Sequence, residues 1–206
     1  MNIRFLIKKF LKIITIKKNK DLETGIYHGC DKIFKDNITD GIIYGEYGCG
    51  ASTLYVSKKS NVNIISVDSS EDWINRIKEE LKERETKIDL KFIDVGITKE
   101  WGRPNDYSKK ENFIKYINYL WERDLKPNIV LIDGRFRVAC FLYSLLNAKP
   151  FTKIIFDDYN RGIYHIVEDY LKPVKIENHQ ALFIVPETLN KQIIEREFKN
   201  FIYVFD

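Results

Sequence analysis

From Gly41 onward the chain switches repeatedly between short apolar runs and longer stretches with apolar residues three or four positions apart. The first rhythm predicts strands and the second predicts helices. Strands are expected at Gly41–Glu46, Val62–Asp68, Ile88–Asp94, Asn128–Asp133 and Phe151–Asp157. Helices are expected at Ser52–Lys59, Glu71–Glu85, Glu111–Arg123, Val138–Asn147 and Gly162–Leu171, with a loop over Thr98–Ser108. In Glu71–Glu85, Trp73, Ile74, Ile77 and Leu81 share one face and charges cover the other. Ile88, Leu90 and Phe92 alternate strictly with polar residues, whereas Asn128–Asp133 is a continuous apolar run, as expected of a strand buried on both faces. Val174–Asn178 and Ala181–Val185 read as a hairpin, followed by a helix over Thr188–Lys199 and an apolar tail, Phe201–Phe205. Upstream, residues 26–37 predict a short helix leading into the first strand.

Strands alternating with helices imply a doubly wound, mostly parallel sheet with right-handed crossovers, closed by an antiparallel hairpin. Proline placement agrees. Pro127, Pro150 and Pro173 precede expected strands and Pro186 follows one, positions where a missing N–H costs no ladder bond. One domain over 26–206 is expected from the 206-residue length.

Residues 2–16 interleave lysines with apolar residues, and Lys17, Lys18 and Lys20 follow. This segment, 1–25, is too charged for a spanning helix. Two readings fit it: a basic amphipathic helix on an anionic membrane surface, reached through residues 2–20, or a helix packed on the domain or on a second copy of the chain. The net charge of +4 shows no concentration suited to nucleic acid. Cys30, Cys49 and Cys140 are odd in number and widely spaced, which suits a reducing, cytoplasmic setting, peripheral at the inner membrane face if the first reading holds.

Ligands bind doubly wound sheets at the carboxyl ends of the strands. Every one of the five expected parallel strands ends in a carboxylate: Glu46, Asp68, Asp94, Asp133 and Asp157-Asp158. Acids are depleted in strands, so the repetition points to a rim with a purpose, although an acid can also cap the helix that follows it. After the first strand comes Gly45-Glu46-Tyr47-Gly48-Cys49-Gly50-Ala51-Ser52-Thr53. Glycines there allow a sharp turn and close approach of a ligand to the backbone. Thr53 stands where a dinucleotide fingerprint has its third glycine. Asp68, about 20 residues on, has the spacing of an acid that accepts hydrogen bonds from ribose hydroxyls.

The E-x-G-x-G-x-S pattern, the order of elements and the terminal hairpin resemble the class I S-adenosylmethionine (SAM) dependent methyltransferases over residues 41–185. The resemblance implies that Glu46, Gly48, Gly50 and Ser52 surround the methionine end of SAM. It further implies that Asp68 holds the ribose, Ser69 lies by the adenine, Asp94 faces the adenine amino group and Asp133 also belongs to the cofactor site. Asp133 with Asp157-Asp158 resembles the acids that hold a divalent cation, Mg²⁺, in metal-dependent O-methyltransferases. Asp158 and the neighbouring Arg135 and Arg137 depart from that pattern. Asp133-Gly134-Arg135-Phe136-Arg137 with Asp157-Asp158-Tyr159 looks like a group of bacterial methyltransferase-like proteins associated with surface-glycan gene clusters.

Arg135, Arg137 and Arg161 read in two ways: a clamp for an anionic acceptor, or salt bridges to the three acids that leave no need for metal. Asp133, Asp158 and His165 are the candidates for a general base. Tyr159 and Tyr164 are placed near the same cleft, and His179, at the hairpin turn, is expected to face solvent. The expected activity is methyl transfer to oxygen of a sugar, a nucleotide-linked sugar or another small polar acceptor. The alternatives are a non-catalytic binding or assembly module and a nicotinamide-dependent oxidoreductase.

Overall fold

The computed structural model describes residues 30–82, 84 and 86–205. The basic segment 1–25 and His28 lie outside the described residues. The fold is a seven-stranded sheet in the order β3-β2-β1-β4-β5-β7-β6. Its strands are β1 (Ile43–Tyr47), β2 (Asn63–Asp68), β3 (Lys87–Phe92), β4 (Ile129–Ile132), β5 (Lys153–Phe156), β6 (Lys175–Glu177) and β7 (Gln180–Ile184). Strands β1 to β5 are mutually parallel, while β7 runs antiparallel to β5 and β6 antiparallel to β7. This is the doubly wound sheet with a terminal antiparallel hairpin that the hydrophobic rhythm predicts.

The helices are α1 (Lys32–Asn37), α2 (Ala51–Val56), α3 (Glu71–Glu80), α4 (Phe113–Asn118), α5 (Arg137–Asn147) and α6 (Lys191–Phe201). The period-two alternation of the strands splits their side chains between two cores. Val67, Ile132, Phe156 and Phe183 face α4, α5 and α6, together with Phe113, Phe141 and Phe198. Tyr44, Ile64, Leu131 and Ile155 face the other way, toward Ile33 and Phe34 of α1 and Val56 of α2. Both faces of β4 are therefore buried, which is why its run carries no polar position.

Two expected helices take a tighter form. The stretch Glu111–Arg123 is a 3-10 turn at Lys110–Asn112, then α4, then a second 3-10 turn at Tyr119–Glu122. The helix after β5 is 3-10 throughout, Gly162–Asp169. Periodicity of apolar residues does not separate i+3 from i+4 hydrogen bonding over so few turns. Among the described residues no helix is long and apolar enough to cross a membrane.

Candidate functional site

Register brings the carboxyl ends of five parallel strands to one edge of the sheet. Tyr47 of β1 pairs with Val67 on one side and Ile132 on the other, Ile132 with Phe156, and Asp68 with Phe92. The backbone ties continue past the strands: Gly48 N donates to Val67 O at 2.8 Å, Asp133 N to Tyr47 O at 3.0 Å and Asp157 N to Ile132 O at 3.0 Å. The acids at the ends of the five strands therefore line a single rim, but they are used differently along it.

Glu46 has no exposed surface. Its carboxylate accepts hydrogen bonds from Tyr44 Oη (2.9 Å), Thr53 Oγ1 (2.5 Å), Ser66 Oγ (3.1 Å) and Ser52 Oγ. It thus fastens β1 to β2 and to the first turn of α2 from beneath the glycine loop. Burial pushes its carboxyl up to about 7, and the four hydroxyls oppose that shift without cancelling it. Ser52, expected near the ligand, is likewise buried and spends its hydroxyl on Glu46. Sequence reading missed Tyr44 and Ser66 as partners; the available signal was a polar residue, Ser66, inside an apolar strand.

Above that anchor, Gly48 adopts φ +93°, and a Cβ there would sit 2.9 Å from the Cα and N of Gly134. Gly134 is equally constrained: its Cβ would meet Tyr116 Oη at 2.2 Å and Gly48 N at 2.8 Å. The loops after β1 and β4 therefore touch backbone to backbone, which only two glycines permit. Gly50 is different, because among the described residues a Cβ there would meet nothing within 4 Å, so its face of the loop is open to them. Asp68 reaches the same loop, accepting from Cys49 N at 2.9 Å and Ser70 N at 2.6 Å. Burial raises its carboxyl above the ordinary range, while those two N–H groups and the positive charge of Arg135 work against the rise. Each Asp68 oxygen accepts one of these backbone bonds, and the Cys49 thiol bonds the carboxylate as well.

Ser69 is buried and donates to Gly102 O at 2.9 Å. That contact pins a small hairpin, closed by Lys99 N to Arg103 O and Asn105 N to Ile97 O, with Trp101 exposed at its tip. Asp94 lies further along the rim and is half exposed. It is ion-paired with Lys109 and accepts from Gly96 N at 2.9 Å. The Lys109 ammonium and the Gly96 N–H hold its carboxyl below the usual range.

At the β4–β5 end, Asp133, Asp157 and Asp158 bring carboxylate oxygens within 4.8 Å of one another. Arg137, the first residue of α5, is buried among them. Its guanidinium contacts Asp133 Oδ1 at 3.0 Å and Asp158 Oδ2 at 3.1 Å. It also donates to the backbone oxygens of Asp157 (2.7 Å), Asp133 (3.0 Å) and Gly134 (3.0 Å), and lies over the Tyr164 ring. Arg161 reaches Asp158 Oδ2 at 2.8 Å. Of the two sequence readings of these arginines, salt bridging is what the geometry contains for Arg137 and Arg161. Gln180 Nε2 donates to Asp157 Oδ1 at 3.0 Å, and burial beside Asp133 raises the Asp157 carboxyl well above its usual value. The donor set does not suit Mg²⁺, because the Arg137 guanidinium already bonds two of the three carboxylates and Gln180 the third.

The remaining candidates sit around this cluster. Arg135 is half buried; its N–H donates to Tyr116 Oη at 3.2 Å, and its charge is felt by Asp68 across the rim. His165 is exposed, stacks on Tyr159 at 4.9 Å and has Nε2 2.9 Å from Tyr159 O. Tyr159 and Tyr164 are core residues, 1% exposed. His179 corrects an expectation: its side chain is 22% exposed and turns inward, with Nε2 3.6 Å from Asp157 Oδ1. The turn residue Asn178, at φ +57°, folds the hairpin over so that His179 O accepts from Tyr159 N at 2.7 Å.

No protein-family model matches this chain, and no curated protein matches it. Solved structures do. A methyltransferase-like protein from Silicibacter pomeroyi DSS-3 is 26% identical, with a TM-score of 0.74 over 83% of this chain and 92% of that one. A methyltransferase from Pyrococcus furiosus is 13% identical, with a TM-score of 0.50 over 85% of this chain and 98% of its own. The chain has the Rossmann-like fold of the class I methyltransferases, with the antiparallel strands at the end of the sheet.

Proposed function

We propose that this chain is a SAM-dependent methyltransferase that methylates a hydroxyl of a sugar or other small polar acceptor. The observation that carries the reading is the rim itself. An open glycine backbone at Gly50 lies next to an acid, Asp68, whose two oxygens are each oriented by a backbone N–H. The likeness to the Silicibacter pomeroyi methyltransferase-like protein supports it.

In this reading the adenosyl ribose lies on Asp68, the adenine between Ser69 and Asp94, and the methionine end along Gly48–Gly50, with Glu46 and Ser52 holding that loop from below. When bound, SAM supplies an activated methyl group on a positively charged sulfur. The acceptor hydroxyl lies toward β4 and β5. Its oxygen forms the new bond to the methyl carbon, the carbon–sulfur bond breaks with its electron pair kept by sulfur, and the hydroxyl proton passes to a carboxylate. We assign that role to Asp133, whose side chain is 31% exposed, slightly more than the 27% of Asp158. Asp158 carries two arginines and the His165 ring is bound to Tyr159 O. Arg135 is the cation positioned for an anionic group on the acceptor or for the cofactor carboxylate. The chain itself aligns the acceptor and excludes water, and no step requires a metal.

Titration calorimetry with S-adenosylhomocysteine (SAH), SAM and NAD tests the proposal. Binding of SAH and SAM at one site per chain, with none for NAD, is expected. Binding of NAD alone, or of none of the three, would overturn it.

A further inference from the structure

We infer that Arg137 is a resident cation, a side chain that occupies the place of a divalent metal between the strand-four and strand-five acids and fixes Asp133 for the acceptor. Three carboxylates within 4.8 Å of one another need a compensating positive charge. A metal could supply it, and so can a guanidinium, which stays protonated at any accessible pH. Two independent features favour the side chain.

The first is the direction of the backbone. The carbonyl oxygens of Asp133, Gly134 and Asp157 all accept from Arg137, at 3.0, 3.0 and 2.7 Å. These contacts match a fork of N–H donors spread over a plane. A cation held by the three carboxylates leaves those carbonyls without donors. Two non-glycine residues hold left-handed backbone conformations around the fork, Phe136 at φ +57° just before Arg137 and Asp158 at φ +57° opposite it. Backbone of this kind persists where its surroundings over-determine it, and here the surroundings are the five acceptors of one guanidinium.

The second is charge. Arg137 and Arg161 supply two positive charges. Asp133 and Asp158 each meet these arginines, and the buried Asp157 is bonded to Gln180. A divalent ion entering this set must displace a side chain that is 3% exposed and already bonded to two of the acids.

The consequence deepens the methyltransferase reading and rests on it. Metal-assisted methyl transfer uses the ion to orient the acceptor oxygen and lower its pKa. Here Arg137 does not face the cleft, so it acts through Asp133. It holds Oδ1 and so fixes the orientation of that carboxylate, which is 31% exposed. Arg137 is therefore a positioning residue, and the acceptor hydroxyl loses its proton to Asp133 rather than to a metal-bound group.

The test needs no substrate. Mn²⁺ titration of the full-length protein, followed by electron paramagnetic resonance, is expected to find no site in the wild type, and neither EDTA nor millimolar MgCl₂ is expected to move its Tm. Arg137→Gln empties the fork while keeping a polar side chain. That variant is expected to gain an Mn²⁺ site lost again in Arg137→Gln with Asp133→Asn, and a Tm that rises by about 4 °C at tenfold saturation with Mg²⁺. A merely structural arginine would lower the Tm without creating cation binding. If Arg137→Gln does not fold even with Mg²⁺, the wild-type titration decides. A wild-type Mn²⁺ site abolished by Asp133→Asn overturns the inference, as does a folded Arg137→Gln with no cation affinity. SAH binding by the wild type is scored separately, so failure of the resident-cation idea and failure of the methyltransferase idea are told apart.

Discussion

The two ends of the rim use the same residue type to opposite effect. At the β1–β2 end, neutral donors surround the acids. Glu46 is bound by four hydroxyls and Asp68 by two backbone N–H groups, and the backbone of Gly50 beside them is open. At the β4–β5 end the acids are neutralised by arginines, with Arg137 buried and bonded to two of them. Neutral donors orient a carboxylate without consuming its charge, so the first end keeps capacity for a polar ligand. Opposite charges consume it, so the second end becomes a rigid wall in which the Asp133 and Asp158 carboxylates are partly exposed.

The largest expected effect comes from the seam between the two ends. Gly134→Ala places a Cβ 2.2 Å from Tyr116 Oη and 2.8 Å from Gly48 N, forcing the two loops apart. It should destabilise the chain by ~4 kcal/mol and abolish SAH binding, as read by urea denaturation and calorimetry. Gly50→Ala sharpens the comparison, because its Cβ meets nothing. Its stability should stay within about 0.5 kcal/mol of the wild type while SAH affinity falls.

Glu46 gives the next effect, and it depends on pH. Its folded-state carboxyl sits at about 7 against an ordinary 4.5. Between those values the folded chain keeps a proton that the unfolded chain has released, so this contribution to stability declines as pH rises from about 4.5 to 7 and is flat above. The decline amounts to roughly 3 kcal/mol at most. Glu46→Gln, which cannot titrate, should remove it when denaturation midpoints are compared at pH 5 and pH 8. An unchanged pH slope in that variant would place the titration elsewhere.

Asp68→Asn should weaken SAH binding about tenfold, ~1.4 kcal/mol, through the loss of charge-assisted hydrogen bonds. Asp133→Asn should leave SAH affinity within about twofold of the wild type, because its end of the rim serves the acceptor in this account. The smallest effect belongs to Lys109→Ala. Its ion pair with Asp94 is nearly half exposed on both sides, so removal should cost no more than ~0.5 kcal/mol, measured by thermal melting.

The sheet was legible in the sequence because each parallel strand carries an apolar run or, in the third, a strict apolar–polar alternation, and ends in an acid, and local pattern suffices to find both. Strand limits shifted by one or two residues: the fifth strand, expected from Phe151, begins at Lys153. The common rim was legible for the same reason, since a parallel sheet delivers every such end to one edge. The use of each acid was not. Glu46 meets its hydroxyls from β1, β2 and α2, and Gly134 meets Gly48 across 86 positions of chain, so neither environment exists until the strands pair. Closeness in sequence groups Arg137 with Arg135. The left-handed turn at Phe136 sends Arg137 into the acid cluster, while the charge of Arg135 is felt at Asp68. His179 was placed in solvent on the strength of its turn, but the hairpin folds it back onto Asp157.

A crystal structure of the protein with SAH bound tests the division of the rim most directly. The account predicts the ribose hydroxyls within hydrogen-bonding distance of Asp68, the amino-acid end against Gly48–Gly50, and Arg137 still bonded to Asp133 and Asp158. An adenosyl group seated on Asp133 and Asp158 with the guanidinium displaced, or one that never touches Asp68, would contradict it.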